Sequence, residues 1–286
     1  MTGRLLAISD LHVGYAENRA LVEQMRPTHP DDWLIVAGDV AERFADVTWA
    51  LRTLSERFAK VIWAPGNHEL WTPQNDPEQA RGVARYEKLV DACRKLGVLT
   101  PEDPYAMWED RLAIAPLFVL YDYSFWPKGA TSTEQALEMA HAAGIVGTDE
   151  ALLHPDPYAG RADWCAARLE LTEARLAAVG GPTVLVNHFP VVREPTDVLW
   201  YPEFALWCGT TRTRDWPTRF GAEVVVYGHL HIPRTIWHDG IRHEEVSVGY
   251  PREWSKRATP PAQLRPVLEP PSENLPPAPR AATPRE

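Results

Sequence analysis

The chain has 286 residues, 45% of them hydrophobic, and a formal net charge of −10. This length and composition allow a substantial core, in one large α/β domain or two smaller ones. The acidic charge argues against nucleic acid or an anionic membrane as a partner, because both need a basic surface, and no apolar run approaches the roughly 20 residues that span a bilayer.

Short apolar runs along the chain are predicted to be buried strands, and each of them stops at a polar residue. They are Leu5–Ile8, Trp33–Ala37, Lys60–Ala64, Thr183–Val186 and Glu223–Tyr227. Helix-compatible segments occur at Glu17–Met25, Val47–Phe58, Arg81–Leu96 and Asp163–Val179. Strands that alternate with helices predict βαβ units and a mostly parallel sheet, whose functional loops lie at the carboxyl ends of the strands.

Two hairpins and two longer segments complete the pattern. The hairpins turn at Asp110-Arg111 and at Asp239-Gly240, and the second pair is typical of a type I′ turn. Residues 118–160 have poor periodicity, and we interpret them as an insertion at the edge of the functional site, with a short helix near Glu134–Ala143. Residues 189–220 are rich in aromatic residues and arginine, which predicts an ordered loop on the substrate side.

The composition changes near the carboxyl terminus. Residues 259–286 are rich in Pro, Ala, Glu and Arg and have almost no aliphatic side chains. Such a segment buries too little surface to offset the entropy of ordering it. We therefore predict a domain over residues 1–258 and a disordered Pro-rich tail after it, whose role in recruiting a partner is open.

The cysteines and the amino terminus indicate the compartment. Cys93, Cys165 and Cys208 are odd in number, far apart and free of CxxC spacing, so reduced thiols are expected rather than a disulfide framework or a zinc site. Residues 1–4 lead directly into the first apolar run, and we expect no signal peptide. Together these features predict a cytoplasmic protein.

The polar residues that follow the strands carry the chemistry. They are Asp10-Leu11-His12, Gly38-Asp39, Gly66-Asn67-His68-Glu69, Asn187-His188 and Gly228-His229-Leu230-His231. If the backbone at Asp10 and His12 is extended, both side chains project from the same face. A mixed set of carboxylate, amide and imidazole donors suits Mn, Fe or Zn better than Ca. Each cluster alone is more often an ordinary loop, but the set predicts one hydrolytic site with two metal ions.

This series of motifs resembles the calcineurin-like metallophosphoesterase superfamily, over about residues 4–252. Residues 248–252 (Val-Gly-Tyr-Pro-Arg) are similar to the end of that family's domain. The resemblance implies an α/β fold, a four-layer α/β/β/α sandwich of two mixed sheets, instead of the single parallel sheet that periodicity suggests.

The resemblance also implies a role for each residue. The implied metal ligands are Asp10, His12 and His231 for one ion, Asn67, His188 and His229 for the other, and Asp39 between them. A hydroxide that bridges the two ions would attack phosphorus, while His68 stays off the metals and assists the leaving group. Glu42 stands where some members have Asp, and we expect Glu42 and Glu69 to support the ligands without binding metal.

The substrate is less constrained than the reaction. The segment 189–220 favours a phosphodiester or a substituted phosphate, and the chain is similar to bacterial members that remove phosphopantetheine from carrier proteins. Arg193 and Arg252 are candidate substrate contacts, and Arg193, Arg212 and Arg214 would meet an acidic carrier helix. The alternatives are a phosphomonoesterase or nucleotidase, and a non-catalytic protein-binding scaffold of the same fold.

Overall fold

Two mixed β-sheets lie face to face, with helices on their outer sides, in a computed structural model that describes residues 3–256 and 264–270. The strands are β1 Leu5–Ile8, β2 Trp33–Val36, β3 Lys60–Trp63, β4 Ala106–Trp108, β5 Leu112–Pro116, β6 Thr183–Val186, β7 Ala222–Tyr227, β8 Arg234–His238, β9 Ile241–Glu245 and β10 Arg265–Leu268. The helices are α1 Ala16–Gln24, α2 Phe44–Ser55, α3 Asn67–Leu70, α4 Gly82–Lys95, α5 Thr133–Ala142, α6 Asp149–Leu152, α7 Arg161–Ala177, α8 Trp216–Arg219 and α9 Pro251–Trp254. Every helix that the structure describes is too short or too polar to cross a bilayer.

The strands are apolar on both faces because both faces are covered. Successive side chains of a strand point to opposite sides of the sheet. In β1, Leu5 and Ala7 pack between the two sheets, whereas Leu6 and Ile8 pack in the cluster that includes the helices. β2, β3, β6 and β7 alternate in the same way. This alternation produces the layered α/β/β/α arrangement.

Strand order confirms the fold implied by the resemblance. The first sheet has the order β10-β1-β2-β3, in which β1, β2 and β3 are parallel and β10 is antiparallel to β1. The second has the order β4-β5-β6-β7-β9-β8, with a parallel centre and antiparallel edge pairs. The single, mostly parallel sheet suggested by periodicity is therefore wrong, since helix–strand alternation does not say which sheet a strand joins.

Both predicted hairpins form. β8 and β9 pair around Asp239 (φ 49°) and Gly240 (φ 75°), and two positive φ angles are what a type I′ turn requires. β4 and β5 pair around Glu109 and Asp110, which also have positive φ.

The two longer segments contain regular structure of their own. Residues 118–160 include α5 and α6, and residues 189–220 include three short 3₁₀ helices and α8. Trp207 and Trp216 in the second segment are each 1% exposed. Buried tryptophans of this size hold the segment against the core.

Strand β10 corrects the predicted domain boundary. Its residues lie inside 259–286, where we expect disorder, yet Leu268 and Pro266 pair with Leu5 and Leu6 of β1. Proline is tolerated there because β10 is an edge strand. The disordered tail is therefore wrong for Arg265–Leu268, which belongs to the first sheet, while residues 257–263 and 271–286 lie outside the described part of the chain.

Removing buried surface from β10 tests this assignment. Val267 is 2% exposed and packs between the two sheets. We expect Val267→Ala to lower the free energy of unfolding by about 1–2 kcal/mol, because two buried methyl groups are lost. Urea denaturation measures the change, with the exposed Glu269→Ala as the matched control. Equal stability of the two variants would contradict the packing of β10.

Candidate metal centre

The predicted site residues meet where the carboxyl ends of β1, β2, β3, β6 and β7 converge. Parallel strands bring their carboxyl ends to one edge of a sheet, and here the edges of both sheets adjoin. The proposed ligands are Asp10, His12, Asp39, Asn67, His188, His229 and His231. All of them are at most 9% exposed except His231, whose side chain is 14% exposed.

Left-handed backbone at the strand ends turns the ligands inward. Asp10, His12, Asp39, His229 and His231 have φ between 40° and 70°. Such angles are uncommon outside glycine, and each costs about 1–3 kcal/mol. Asp10 and His12 therefore do not converge through the extended backbone that their spacing suggests. Two backbone hydrogen bonds stabilise this strained conformation. The Asp10 N–H donates to the Gly38 carbonyl (2.9 Å), and the His12 N–H donates to the Asp39 carbonyl (3.1 Å).

One group of donors consists of Asp10, His12 and His231. Nε2 of His231 lies 3.0 Å from Oδ1 of Asp10 and 3.2 Å from Nε2 of His12. The three ligand atoms lie within 4.8 Å of one another. Glu253 accepts a hydrogen bond from Nδ1 of His231 at 2.8 Å, which leaves Nε2 turned toward Asp10.

The second group consists of Asp39, His188 and His229, with Asn67 beside it. Nε2 of His188 lies 3.3 Å from Oδ2 of Asp39 and 3.2 Å from Oδ1 of Asn67. Nδ1 of His188 is 2.9 Å from the Ala37 carbonyl, so it carries the proton and Nε2 faces the site. Ligand atoms of Asp39, His188 and His229 lie within 4.8 Å of one another.

The donor set fits metal ions. Nε2 of His229 is buried and has no hydrogen-bond partner among the described residues. A buried polar atom without a partner is unfavourable unless a ligand satisfies it. The facing ring nitrogens of His12 and His231 can share at most one proton, and they suit a cation that accepts both lone pairs.

Each of the two groups contains a buried pair of opposite charges. Burial opposes the charged form of His188 and His231, but the Asp39 and Asp10 carboxylates outweigh it and raise the pKa of each imidazole to about 10. Burial and the neighbouring His188 lower the pKa of His229 to about 3. Because an imidazole ligand must be neutral, metal binding here releases protons.

His68 lies beside both groups with its ring held on two sides. Its Nδ1 is 2.9 Å from Oε1 of Glu42, and its ring stacks on Trp71 at 3.7 Å between centroids. Its Nε2 is 3.6 Å from Oδ2 of Asp39. Burial opposes the imidazolium, but Asp39 and Glu42 outweigh that effect and raise the pKa of His68. Glu42 also lies 3.7 Å from Nδ1 of His12, which gives a third, overlapping group of donors.

Glu69 fixes the turns that carry Asp39 and Asn67. Its carboxylate accepts hydrogen bonds from the backbone N–H groups of Asp39 (3.0 Å), Val40 (3.0 Å) and Gly66 (3.1 Å). The approach is so close that a Cβ on Gly66 would lie 2.5 Å from the Asp39 nitrogen. Glycine is therefore required at position 66. Glu69 supports the site by binding the backbone N–H groups beside the proposed ligands.

A cavity of about 310 Å³ opens onto these residues. Its polar lining includes Asp39, Asn67, His68, His229 and His231. Its apolar lining includes Leu199, Phe204, Trp207 and Leu230. Phe204 stacks on the His229 ring at 5.6 Å between centroids, so the apolar wall begins directly at the donor set.

A family model described as Metallophos, calcineurin-like phosphoesterase, matches residues 3–233. The chain belongs to the calcineurin-like phosphoesterase family. This phosphoesterase is therefore a hydrolase of phosphoester bonds, and the clustered His and Asp side chains are suited to its metal ions.

Individual relatives agree with the family. The acyl-carrier-protein phosphodiesterase PptH of Mycobacterium tuberculosis is 56% identical over 272 residues, which cover 93% of this chain and 84% of the relative. A crystal structure of Phosphopantetheinyl Hydrolase (PptH) from the same organism matches with a TM-score of 0.91 at 55% identity, covering 96% of this chain and 99% of that one. A distant crystal structure, 11% identical with a TM-score of 0.51 over 89% of this chain and 93% of its own, shows likeness of fold alone.

Two acidic residues of the phosphoesterase site were missed by sequence reasoning. Asp149 accepts a hydrogen bond from Nδ2 of Asn67, but it lies in the aperiodic segment 118–160 and carries no local signal. Glu253 accepts hydrogen bonds from both Nδ1 of His231 and the Tyr250 backbone N–H. A signal existed for Glu253, since Pro251 followed two residues later by Glu is typical of a capped helix start.

The two arginines predicted to contact substrate contact other residues in the structure. Arg193 binds Oδ1 of Asp197 at 2.7 Å and the Trp126 carbonyl at 3.1 Å, and it lines a second, smaller cavity. The Arg252 guanidinium lies 5.0 Å from the centroid of the Tyr250 ring. Their roles in this phosphoesterase stay predictions.

Proposed function

We propose that this chain hydrolyses the phosphodiester that joins 4′-phosphopantetheine to a serine of an acyl carrier protein. The observation that carries the proposal is the match to PptH, which is named an acyl-carrier-protein phosphodiesterase and is 56% identical across 93% of this chain. Water adds to phosphorus, the phosphorus–oxygen bond to serine breaks, and the serine oxygen takes a proton. The products are 4′-phosphopantetheine and the apo carrier.

Seven residues are proposed to bind the metal ions of this reaction, and His68 is proposed to transfer a proton. The proposed ligands are Asp10, His12 and His231 for one ion, Asn67, His188 and His229 for the other, and Asp39 for both. When bound, two Mn, Fe or Zn ions would activate water and neutralise charge on the phosphoryl oxygens. His68 gives a proton to the leaving serine oxygen, because its pKa is raised and Glu42 fixes its Nδ1.

The cavity and its rim suit a phosphodiester that joins an organic group to a protein. The apolar wall beside His229 provides contact for the branched hydrocarbon next to the phosphate of phosphopantetheine. Beyond it, Val198, Trp200 and Tyr201 are 50%, 89% and 56% exposed. Large exposed aromatic residues beside a site are typical of protein contact surfaces. Arg193, Arg212 and Arg214 are a further proposed contact for an acidic carrier.

We also propose a cytoplasmic location. Cys93, Cys165 and Cys208 are free and buried, as reduced thiols of a cytoplasmic protein would be. Acyl carrier proteins are then available as substrates in the same compartment.

Conversion of holo carrier to apo carrier tests the proposed substrate. Purified protein supplied with Mn²⁺ is incubated with a phosphopantetheinylated carrier, and the carrier mass is followed by mass spectrometry. We expect the mass to fall by one phosphopantetheine group, with no release of inorganic phosphate, and EDTA to prevent the change. Hydrolysis of nitrophenyl phosphate without conversion of the carrier would support a phosphomonoesterase or nucleotidase instead.

A further inference from the structure

The buried carboxylate of Asp149, which is not a proposed metal ligand, binds Asn67 directly and reaches His68 through Trp71. Asp149 is 3% exposed and begins the short helix α6. Its Oδ1 atom accepts two hydrogen bonds, from Nδ2 of Asn67 at 2.9 Å and from Nε1 of Trp71 at 2.6 Å. One oxygen atom thus holds the first residue of α3 and the residue that follows this helix.

The first hydrogen bond decides which way the Asn67 amide faces. The Trp71 N–H can only donate, so Oδ1 is an acceptor and the NH₂ group of Asn67 must turn toward it. The amide oxygen then points to the opposite side, 3.2 Å from Nε2 of His188. Only the oxygen of an amide is a useful metal ligand, because the NH₂ nitrogen has no available lone pair. Asp149 therefore selects the metal-binding orientation of Asn67.

The second hydrogen bond fixes the surface against which His68 packs. The Trp71 ring, held through its N–H by Asp149, stacks on the His68 ring at 3.7 Å with an angle of 29°. The Arg161 side chain binds the Asp149 carbonyl oxygen at 2.6 Å, which ties α6 to α7. The carboxylate therefore lies on a helix whose position is fixed, and it in turn fixes the positions of Asn67 and His68.

We propose that Asp149 is a positioning residue that sets the amide orientation of Asn67 and the placement of His68 at the same time. The inference rests on the proposed metal-dependent phosphodiesterase function but not on the carrier as its substrate. It assigns a role to the segment 118–160, which supplies no metal ligand among the proposed set.

Replacing Asp149 by asparagine tests the amide orientation. The new amide can offer either its oxygen or its NH₂ group, so Asn67 loses its preference for one orientation. Isothermal titration with Mn²⁺ should show an affinity about 10–100-fold weaker than that of wild type. Asp32→Asn is the matched control, because Asp32 is also buried but accepts backbone N–H groups at the amino end of β2. We expect it to bind Mn²⁺ within about twofold of wild type.

Trp71→Phe tests the second hydrogen bond and leaves the carboxylate in place. The phenyl ring still stacks on His68 but no longer donates to Asp149. We expect Mn²⁺ affinity within about twofold of wild type and kcat for bis(4-nitrophenyl) phosphate about 3–10-fold lower at unchanged KM. If Asp149→Asn fails to fold, wild-type kcat in this variant still overturns the joint role proposed for Asp149.

The outcomes separate the inference from the proposed function. Wild-type Mn²⁺ affinity in Asp149→Asn, or an equal loss in Asp149→Asn and Asp32→Asn, overturns the role of Asp149. Wild-type kcat in Trp71→Phe overturns the connection to His68. A wild-type protein that hydrolyses the nitrophenyl diester but never converts a carrier overturns the proposed substrate and leaves the role of Asp149 standing.

Discussion

Asp39→Asn should lower the turnover of a phosphodiester by at least about 10³-fold and reduce the metal content of the purified protein. Asp39 is 2% exposed and belongs to the second donor group, with Oδ2 3.3 Å from Nε2 of His188, and we propose that it serves both ions. An amide of the same shape keeps one oxygen and loses the negative charge, so it cannot serve two cations. Elemental analysis and kcat for bis(4-nitrophenyl) phosphate measure the two effects.

The same Asp32→Asn control separates this effect from simple destabilisation. Asp32 precedes β2 and Asp39 follows it, so the two variants alter buried carboxylates at opposite ends of one strand. The control should keep its metal and its turnover even if its melting temperature falls. Retention of two equivalents of metal in Asp39→Asn would contradict a position for Asp39 between the ions.

His68→Ala is expected to keep its metal and to lose about 10²–10³-fold in kcat, with little change in KM. We propose that this imidazole transfers a proton, and its ring is positioned by Glu42, 2.9 Å from Nδ1, with Nε2 3.6 Å from Oδ2 of Asp39. The exposed His141→Ala on α5 is the matched histidine control, and we expect it to be unchanged.

Metal analysis of the His68 variant also distinguishes two roles for this residue. His12, Glu42 and His68 place donor atoms within 4.8 Å of one another, so they form a possible ligand group of their own. Loss of one metal equivalent together with activity would make His68 a ligand and exclude it as the proton donor. Loss of activity with full metal content supports His68 as the proton donor.

The sequence was sufficient for every described strand except β10 and for the approximate place of the site. Parallel strands such as β1 and β2 bring their carboxyl ends together, so Asp10 and Asp39 had to be neighbours. The hairpin at Asp239-Gly240 was equally predictable, because few residue pairs adopt two positive φ angles. In each case a local pattern had one structural solution.

Other features depend on contacts between distant parts of the chain. Asp149 meets Asn67 across 82 positions, and nothing in the surrounding sequence marks it as a functional residue. β10 is four residues long, contains Pro266 and buries mainly Val267, so neither periodicity nor composition distinguishes it from a loop. Its pairing with β1 is decided by the free edge of the first sheet rather than by its own propensity.

The left-handed backbone of five proposed metal ligands has a consequence for protein engineering. Asp10, His12, Asp39, His229 and His231 occupy conformations that glycine or asparagine would adopt with less strain. Selection for stability alone would therefore favour replacing the residues that we propose as metal ligands. A library of this chain screened only for thermal tolerance would enrich inactive sequences at these positions, so these five codons should be held constant while the rest of the chain is varied.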